Sequence, residues 1–307
     1  MTTFRSNFVD LLEPILESVQ NDQDFPRRET IYTRFYDKVK QSKKSKETLY
    51  ERAGLGDFQE KPEGMAITAS DPIKGSTVVL THTRRALRYH ITQEMLDHDQ
   101  YDEIRGLEMD LQIAGRDDLE VRGHLLLNNG FGTTNAGSFN ATGLGGLQLF
   151  STAHTRLDGG ANQRNRPTTD ASLSWTSLAD GRQQFQLWRD GRGRRVIAIP
   201  QLLAVSPQDE LTAMELMRST GKPGTNNNDT NVLSGDFEIL VTPFTTDTNA
   251  WFLKASGTDT RWFWDVAPRT ASLRDDEIRE IVGRKRVQGW SHGHGRWFGW
   301  YGTSGTT

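Results

Sequence analysis

The longest regular pattern of apolar and polar positions runs from residue 91 to residue 131. Apolar side chains recur there every three or four positions, with one interruption at Asp118, and form a single stripe: Ile104, Leu107, Leu111, Ala114, Val121 and Leu125. This spacing predicts an amphipathic helix that begins at an N-cap at Thr92 and ends at Asn129-Gly130. The opposite face carries charged residues: Glu103, Glu108, Asp110, Arg116, Asp117, Glu120 and Arg122. The helix would be about 45–55 Å long, which suits a flat, extended subunit better than a compact domain.

The segment before this helix predicts a β-hairpin. Residues 65–69 and 76–91 have strand patterns, and turn-forming residues at 71–75 lie between them. The far end of this hairpin is too polar to have a core of its own. Because an isolated two-stranded ribbon is only marginally stable in water, we expect the hairpin to lie on another subunit.

The remaining elements are mixed. Residues 4–20 predict an amphipathic helix that bends at Pro14, and a second short helix contains Tyr32, Phe35, Tyr36 and Val39. The C-terminal half predicts helices and strands in the following order: helix 174–189, strands 196–199 and 202–205, helix 209–219, and strands 237–241, 250–255 and 278–287. Helices and strands alternate without a regular strand–helix–strand period, which predicts the α+β class.

Composition narrows the functional classes. The chain has 307 residues, a formal charge of -3 and no cysteine, which excludes disulfides, thiolate metal sites and cysteine nucleophiles. The charge provides no basic field for gripping nucleic acid. No apolar run approaches about 18 residues, so no membrane span is expected, and the first residues lack a signal-peptide core, which predicts an intracellular protein. Only 35% of residues are hydrophobic, as in a subunit that completes its burial against neighbours.

Two clusters contain residue types used in catalysis. His292 and His294 could supply two metal ligands, but no further ligand is near them in sequence, and the adjacent glycines favour a turn between strands. Ser151, His154 and Asp158 have the residue types of a catalytic triad, yet all three belong to one loop that we expect to be flexible. Neither cluster predicts an enzyme.

Three further clusters have two interpretations each. The arginine-rich segment 191–195 could bind phosphate, although it precedes a strand rather than a helix, or form a turn with solvated arginines. The basic run 41–46 could contact nucleic acid or serve as a solvated linker. Five tryptophans could form a sugar-binding platform or pack in a core or subunit interface: Trp262, Trp264, Trp290, Trp297 and Trp300. We expect no cofactor.

A set of short motifs occurs in one order along the chain. The clearest joins Leu149-Phe150-Ser151-Thr152-Ala153-His154 to Gly159-Gly160-Ala161-Asn162-Gln163-Arg164-Asn165. The others lie at 47–56, 200–207, 235–241 and 249–253. Together these motifs resemble the major capsid proteins of tailed bacteriophages, in particular the major head subunit of Mu-like phages. Arg164 departs from the family pattern, which has serine before the asparagine.

The resemblance implies the Hong Kong 97-type capsid fold, in which an arm and a hairpin reach over neighbouring subunits. The implied divisions are an N-terminal arm at 1–50, an extended β-hairpin loop at 51–90, the spine helix of the peripheral domain at 91–130, an axial domain at 131–260, and C-terminal strands returning to the peripheral sheet at 261–307. We expect inter-subunit contacts at Phe4, Phe8, Phe58, Glu60, Lys61, Glu63 and Lys74. Lys61 and Lys74 are also placed for the isopeptide cross-link to asparagine that some relatives form.

The implied function is that of a phage major capsid protein, which self-assembles into hexamers and pentamers of an icosahedral or prolate shell around double-stranded DNA. Its implied partners are further copies of itself, a scaffolding protein, a portal protein and, through weak contacts, the packaged DNA. A decoration protein is left open. The implied location is the virion capsid, after assembly in the host cytoplasm. The alternatives are a nanocompartment shell of the same fold that encloses an enzyme, a metal-dependent enzyme using His292 and His294, and a carbohydrate-binding protein.

Overall fold

The structure is a computed structural model that describes residues 30–92, 101–224, 229–274 and 281–305. The strands in these ranges are β1 Lys38–Gln41, β2 Lys46–Ala53, β3 Ile73–Thr81, β4 Thr83–Thr92, β5 Phe139–Asn140, β6 Pro200–Val205, β7 Glu238–Val241, β8 Trp251–Ala255, β9 Thr260–Arg274, β10 Ile281–His294 and β11 Trp300–Thr303. The helices are α1 Tyr101–Gly123, α2 Leu125–Asn128, α3 Trp175–Leu187 and α4 Glu210–Arg218, with 3-10 turns at Tyr32–Phe35 and Pro207–Asp209. The architecture confirms the predicted α+β class.

The strands form three sheets. The largest has the order β1-β9-β10-β4, with β5 added beside β10. Strand β1 runs parallel to β9, whereas β9 and β4 both run antiparallel to β10. The second sheet has the order β11-β8-β6-β7, and the third is the hairpin β2-β3. Strands β8 and β11 of the second sheet are buried along their whole length, so this sheet lies inside the molecule.

The core is built mainly from aromatic side chains, which connect the two larger sheets. Trp262 stacks on Trp290 with ring centroids 5.4 Å apart, and Phe150 packs edge-on against Trp300. Trp297 is also buried and Trp264 is partly buried. An aromatic side chain buries roughly 150–250 Å² of surface, so these rings supply much of the apolar burial. The tryptophans therefore serve the core, and the sugar-platform alternative has no exposed rings to support it.

Helix α1 is described from Tyr101 onwards. It spans 23 residues, about 35 Å, and α2 adds one turn after His124. Ile91 and Thr92 belong to β4, where they pair with Val282 and Ile281 of β10, and the predicted N-cap at Thr92 stays a prediction. In the second half of β4, Leu87, Tyr89 and Ile91 alternate with polar residues. This strand pattern extends to Thr92, and β4 pairs with β10 over the same residues. Residues 93–100 lie outside the described ranges.

The buried face of α1 also differs from the predicted stripe. Glu108 and Glu120, which were predicted for the charged face, are buried, whereas Ala114 and Val121 of the predicted stripe are exposed. Ile104 and Leu111 are buried as predicted. The apolar period alone misplaced this face because α1 packs partly through polar contacts.

Two buried carboxylates make those polar contacts. Glu108 accepts hydrogen bonds from Tyr89 Oη of β4 and Gln112 Nε2, each 2.8 Å long. Glu120 accepts the backbone N–H groups of Ile31 at 2.9 Å and Tyr32 at 3.0 Å. Charge-assisted hydrogen bonds of this kind compensate for burial of the carboxylates. Helix α1 is thereby bonded to the largest sheet on one side and to the segment at residue 31 on the other.

The hairpin is present, but it pairs different strands from those predicted. Strand β2 pairs antiparallel with β3, and residues 54–72 form the loop between them. The predicted strand at 65–69 is wrong, since every residue from 57 to 72 is exposed and has no strand partner. Leu49 of β2 instead packs with Val78 and Leu80 of β3 and with Phe263 of β9. The base of the hairpin therefore rests on an apolar cluster. Strand β2 occupies the place in the hairpin that the sequence pattern assigned to 65–69.

The predicted short helix containing Tyr32 and Val39 forms only in part. A 3-10 turn ends at Phe35, and Val39 lies in strand β1 beside β9. Asp37 lies between the 3-10 turn and β1. Its carboxylate accepts a hydrogen bond from the backbone N–H of Thr258 at 2.6 Å and pairs with Lys254. The predicted helix at 4–20 lies outside the described residues.

The remaining predictions in the C-terminal half are largely confirmed. Helix α3 begins at the N-cap Ser174, whose side chain accepts the N–H of Ser177, and α4, β6, β7 and β8 lie where the pattern predicts them. The strand predicted at 196–199 is absent, and Ile197 and Ile199 are exposed. Strand β10 continues to His294, seven residues beyond the predicted end at Val287, because it also pairs with β9 and β5 there.

Candidate assembly surfaces

The loop 54–72 between β2 and β3 exposes a group of apolar side chains. Leu55, Phe58, Met65 and Ile67 all lie at the surface, and Phe58 is fully accessible at 106%. Scattered apolar residues are ordinary on a protein surface, but several on one protruding loop indicate a binding site. This loop is therefore the first candidate for contact with another subunit.

A turn from a distant part of the chain holds the base of this loop. Arg192 donates to the carbonyl oxygen of Gly54 at 3.0 Å, and Arg194 pairs with Asp57 at 2.8 Å and donates to two more loop carbonyls. The turn itself is as predicted and has Gly193 at a positive φ of 83°. Arg194 and Arg195 are exposed as predicted, but Arg192 and Arg194 also bind the loop. The loop thus leaves the subunit in a defined direction.

The residues predicted for inter-subunit contacts can be located in part. Four lie exposed in the loop, namely Phe58, Glu60, Lys61 and Glu63, and Lys74 is exposed on β3 opposite Arg52. Phe4 and Phe8 lie outside the described residues. The contacts of all seven stay predictions, since they concern a second subunit.

His292 and His294 lie in strand β10 within the core, so the predicted turn is wrong. Trp262 stacks on the His292 ring with centroids 4.8 Å apart, and Phe139 lies 5.3 Å away. A side chain at Gly293 would come within 2.9 Å of the β5 backbone, so glycine permits the close approach of β5. Burial lowers the pKa of both imidazoles from 6.5 to about 3, and both rings are neutral.

The described residues offer little to a metal. In the ranges that the structure covers, no group of three or more histidine, aspartate or glutamate side chains is arranged to hold an ion. The same ranges contain no helix that is both long and apolar enough to span a membrane. The metal-dependent alternative therefore gains no support from the geometry around His292 and His294.

Comparison with known protein families decides the identity. The sequence pattern of a family described as phage capsid protein matches residues 75–305, which is most of the chain. This chain belongs to the phage capsid proteins. A search of curated proteins found no match. The family match identifies a shell protein of the virion capsid, whereas the closer relation to Mu-like phages stays a prediction.

Solved structures support the same fold. The capsid of the cyanophage P-SCSP1u matches with a TM-score of 0.53 at 10% identity, over 90% of this chain and 88% of that one. The capsid of a native GTA particle gives 0.54 at 10% identity over 89% of each chain. A structure from Mycobacterium phage Patience gives 0.51 at 10% identity, over 96% of this chain and 85% of that one. At such identities the likeness concerns the fold, which is the Hong Kong 97-type capsid fold.

In this capsid protein the motif at 149–165 has a structural role. Asn165 is fully buried and donates to the carbonyl oxygens of Leu149 at 2.8 Å and Trp300 at 3.0 Å. Its side-chain oxygen accepts the backbone N–H of Ser151 at 2.9 Å and lies 3.0 Å from His154 Nε2. One amide thus satisfies polar groups in residues 149–154 and in strand β11, which explains an asparagine at the end of the motif.

The same contacts account for the residues that resembled a triad. His154 stacks on Trp297 with ring centroids 4.3 Å apart, and burial lowers the pKa of its imidazole to about 4. Asp158 pairs with Arg156, and the Ser151 hydroxyl accepts the N–H of Ala153. The three side chains have separate partners and no shared geometry for catalysis. The loop is also held at several points, so the expected flexibility is wrong.

Proposed function

We propose that this phage capsid protein is the major shell subunit, which assembles into hexamers and pentamers around double-stranded DNA. The family match supports a shell role, and the exposed apolar loop 54–72 supports assembly. Phe58 and Ile67 are exposed to water, so the free energy of the system falls when a neighbouring subunit covers them. The proposed assembly mechanism rests on one observation, the exposure of apolar side chains on the loop 54–72.

The division of the chain follows from the same proposal. The hairpin within 51–90 lies on a neighbour, α1 is the spine helix, residues 131–260 form the axial domain, and strands after 261 return to the peripheral sheet. The described part of the proposed arm at 1–50 is bonded to its own subunit through Glu120 and β9, whereas Phe4 and Phe8 of this arm lie outside the described residues.

The partners follow from the shell role. The subunit would require a scaffolding protein during assembly and a portal protein at one vertex, and it would contact the packaged DNA weakly because its net charge is -3. Assembly would take place in the host cytoplasm. The protein would act as a structural component without catalytic activity.

Replacing Phe58 with serine tests the role of the loop. Phe58 makes no contribution to the subunit's own core, so Phe58→Ser should leave the subunit's melting temperature unchanged and raise the concentration at which shells form about tenfold. Static light scattering across a concentration series measures this threshold. The neighbouring variant Gln59→Ser, which removes no apolar surface, should assemble like wild type. Equal thresholds for Phe58→Ser and wild type would contradict the proposal.

A further inference from the structure

A cleft of about 450 Å³ opens between helix α1 and the strand pair β4–β10. Its apolar floor is formed by Leu111 and Ala114 of α1 and by Leu87 of β4. The side chain of Leu87 is 55% exposed, so apolar surface in the cleft is open to water. Protein sites for small ligands commonly have this size, with apolar walls and a few polar groups that fix the ligand.

Three cross-strand pairs of β4 and β10 turn their side chains toward α1 at this place: Tyr89 with Arg284, Leu87 with Arg286, and Arg85 with Gln288. The first pair contacts Glu108 of α1, because Tyr89 donates to its carboxylate at 2.8 Å and Arg284 lies 3.4 Å from it. The last pair contacts Asp118 of α1, which accepts a hydrogen bond from Gln288 at 3.1 Å and pairs with Arg85 at 2.9 Å. Each outer pair thus has a carboxylate from the helix.

The middle pair has no such carboxylate. Arg286 donates from Nη1 to the side-chain oxygen of Gln112, and its Nε lies 3.4 Å from the side-chain oxygen of Gln288. Both partners are neutral amides. Within the part of the chain that the structure describes, no carboxylate forms an ion pair with this guanidinium, which lines the cleft. A partly buried cation without a counter-ion is costly, so the cleft favours an anion at this point.

The helix is shaped to admit the guanidinium of Arg286. It lies against Gly115 of α1, where an added Cβ atom would come within 2.2 Å of Nε. Glycine is less favourable than alanine in a helix interior, so this position favours the arginine at some expense to the helix. Burial and the charge of Arg116 lower the pKa of Arg286, and the opposing charge of Glu108 does not cancel the shift. An anion in the cleft would stabilise the cation.

We propose that this cleft binds a small organic acid, with its carboxylate on Arg286 and its apolar part on the floor formed by Leu87 and Leu111. A guanidinium presents parallel N–H donors that match the two oxygens of a carboxylate. The bound acid would give the middle pair the anion that α1 gives to the two outer pairs. The site goes beyond the proposed shell role, because it needs only one chain.

Hexanoate, a straight-chain acid of six carbon atoms, is the probe, and hexanol is its uncharged counterpart. The full-length, unassembled chain is labelled with ¹⁵N at arginine, and the Nε–H signal of Arg286 is assigned by its loss in Arg286→Gln. Hexanoate should shift this signal with a dissociation constant on the order of 1 mM, as expected for so small a ligand. Hexanol should bind at least about tenfold more weakly. Equal binding of the two would show a merely apolar cleft and overturn the proposal.

Two variants remove the cation from the cleft in different ways. Arg286→Gln replaces the guanidinium with a neutral amide, whereas Gly115→Ala displaces it and strengthens the helix, so its melting temperature should not fall. Backbone amide signals of Leu87 and Leu111 follow binding in both variants. Each should raise the dissociation constant for hexanoate at least about tenfold. Hexanoate that binds either folded variant as tightly as wild type would overturn the proposal.

The matched control is Lys285→Gln. It removes a cation from the residue of β10 next to Arg286, whose side chain lies on the other face of the sheet because side chains of a strand alternate. Its dissociation constant for hexanoate should lie within about twofold of wild type. A loss of binding equal to that of Arg286→Gln would show a general effect of net charge and overturn the proposal.

Thermal unfolding and inorganic phosphate complete the test. Hexanoate should raise the melting temperature of wild type and leave that of Gly115→Ala unchanged, since only a ligand that binds the folded chain stabilises it. Inorganic phosphate should bind more weakly than hexanoate because it makes no contact with the apolar floor. Equal affinity for phosphate would show an anion site without an apolar part, contrary to the proposal. Shell formation tests the proposed function without hexanoate, so the two can fail separately.

Discussion

Asn165 connects its own segment to the start of the motif at 149–154 and to strand β11 through one buried amide. Its partners are backbone groups and the imidazole of His154, which stacks on Trp297. A single side chain can hold three segments in this way because an amide offers two donors and an acceptor with two lone pairs. Loss of that amide leaves several buried groups without partners at once.

Replacing Asn165 with alanine should therefore destabilise the subunit strongly. The backbone groups at Ser151, Leu149 and Trp300 would be left unsatisfied, and we expect the free energy of unfolding to fall by about 3 kcal/mol. Urea denaturation of the unassembled subunit measures the change. Asn162→Ala, at an exposed position in the same loop, should lie within about 0.5 kcal/mol of wild type. Similar losses for both variants would show that Asn165 has no special role.

The buried histidines predict a loss of stability in acid. Burial, with the nearby charge of Arg122 adding to it, lowers the pKa of His292 to about 3, whereas an unfolded histidine titrates near 6.5. Between these values the unfolded chain binds a proton that the folded chain does not, so the free energy of unfolding falls as pH decreases from 6.5.

His292→Phe should weaken that dependence by one proton, about 1.4 kcal/mol per pH unit in this window, because phenylalanine keeps the ring contacts and does not titrate. Urea denaturation of the wild-type and variant subunits at pH 7, 6 and 5 gives the two slopes. Identical slopes would mean that His292 is accessible to protons in the folded subunit.

Among the elements, the loop 54–72 depends on a turn that lies over a hundred residues later. The sequence shows both segments but contains no signal that joins them, since each looks like a solvated, glycine-rich connection. The contact is visible only once the fold brings Arg194 to Asp57.

Arg194→Ala should free the base of the loop and leave the rest of the subunit intact. Amide hydrogen exchange at Leu55, Gly56 and Asp57 should become about tenfold faster, because three contacts of Arg194 to this segment are lost. The melting temperature should change little. Arg195→Ala, whose guanidinium donates to Gln186 instead, is the matched control and should leave the loop's exchange unchanged. Unchanged exchange in Arg194→Ala would show that the turn does not anchor the loop.

Local pattern predicted some elements well and others poorly, for physical reasons. Helix α3 has its N-cap Ser174, and β6 and β8 are short, mainly apolar segments, so their own residues specify them. The orientation of α1 depends instead on Glu108 and Glu120, whose burial is favourable only because distant donors reach them. Hydrophobic periodicity contains no information about such donors. The same limit made 65–69 a better strand candidate in sequence than β2.

Over the whole molecule, one aromatic core joins the two larger sheets, while the loop 54–72 stays uncovered. The family resemblance was confirmed at the level of phage capsid proteins and of the Hong Kong 97-type fold, because the order of motifs along the chain depends on the whole fold. The contact residues could not be tested in the same way, since half of every contact belongs to another subunit. Their confirmation requires the assembled particle.

The mass of the purified recombinant protein in solution tests the proposed assembly most directly. Light scattering, with negative-stain imaging of the same sample, should give closed shells or capsomer rings far above the 34.7 kDa of one chain. A scaffolding protein can be supplied in the same experiment to lower the threshold. A stable monomer at all concentrations and salt conditions, with or without scaffold, would contradict the assignment of this chain as a self-assembling shell subunit.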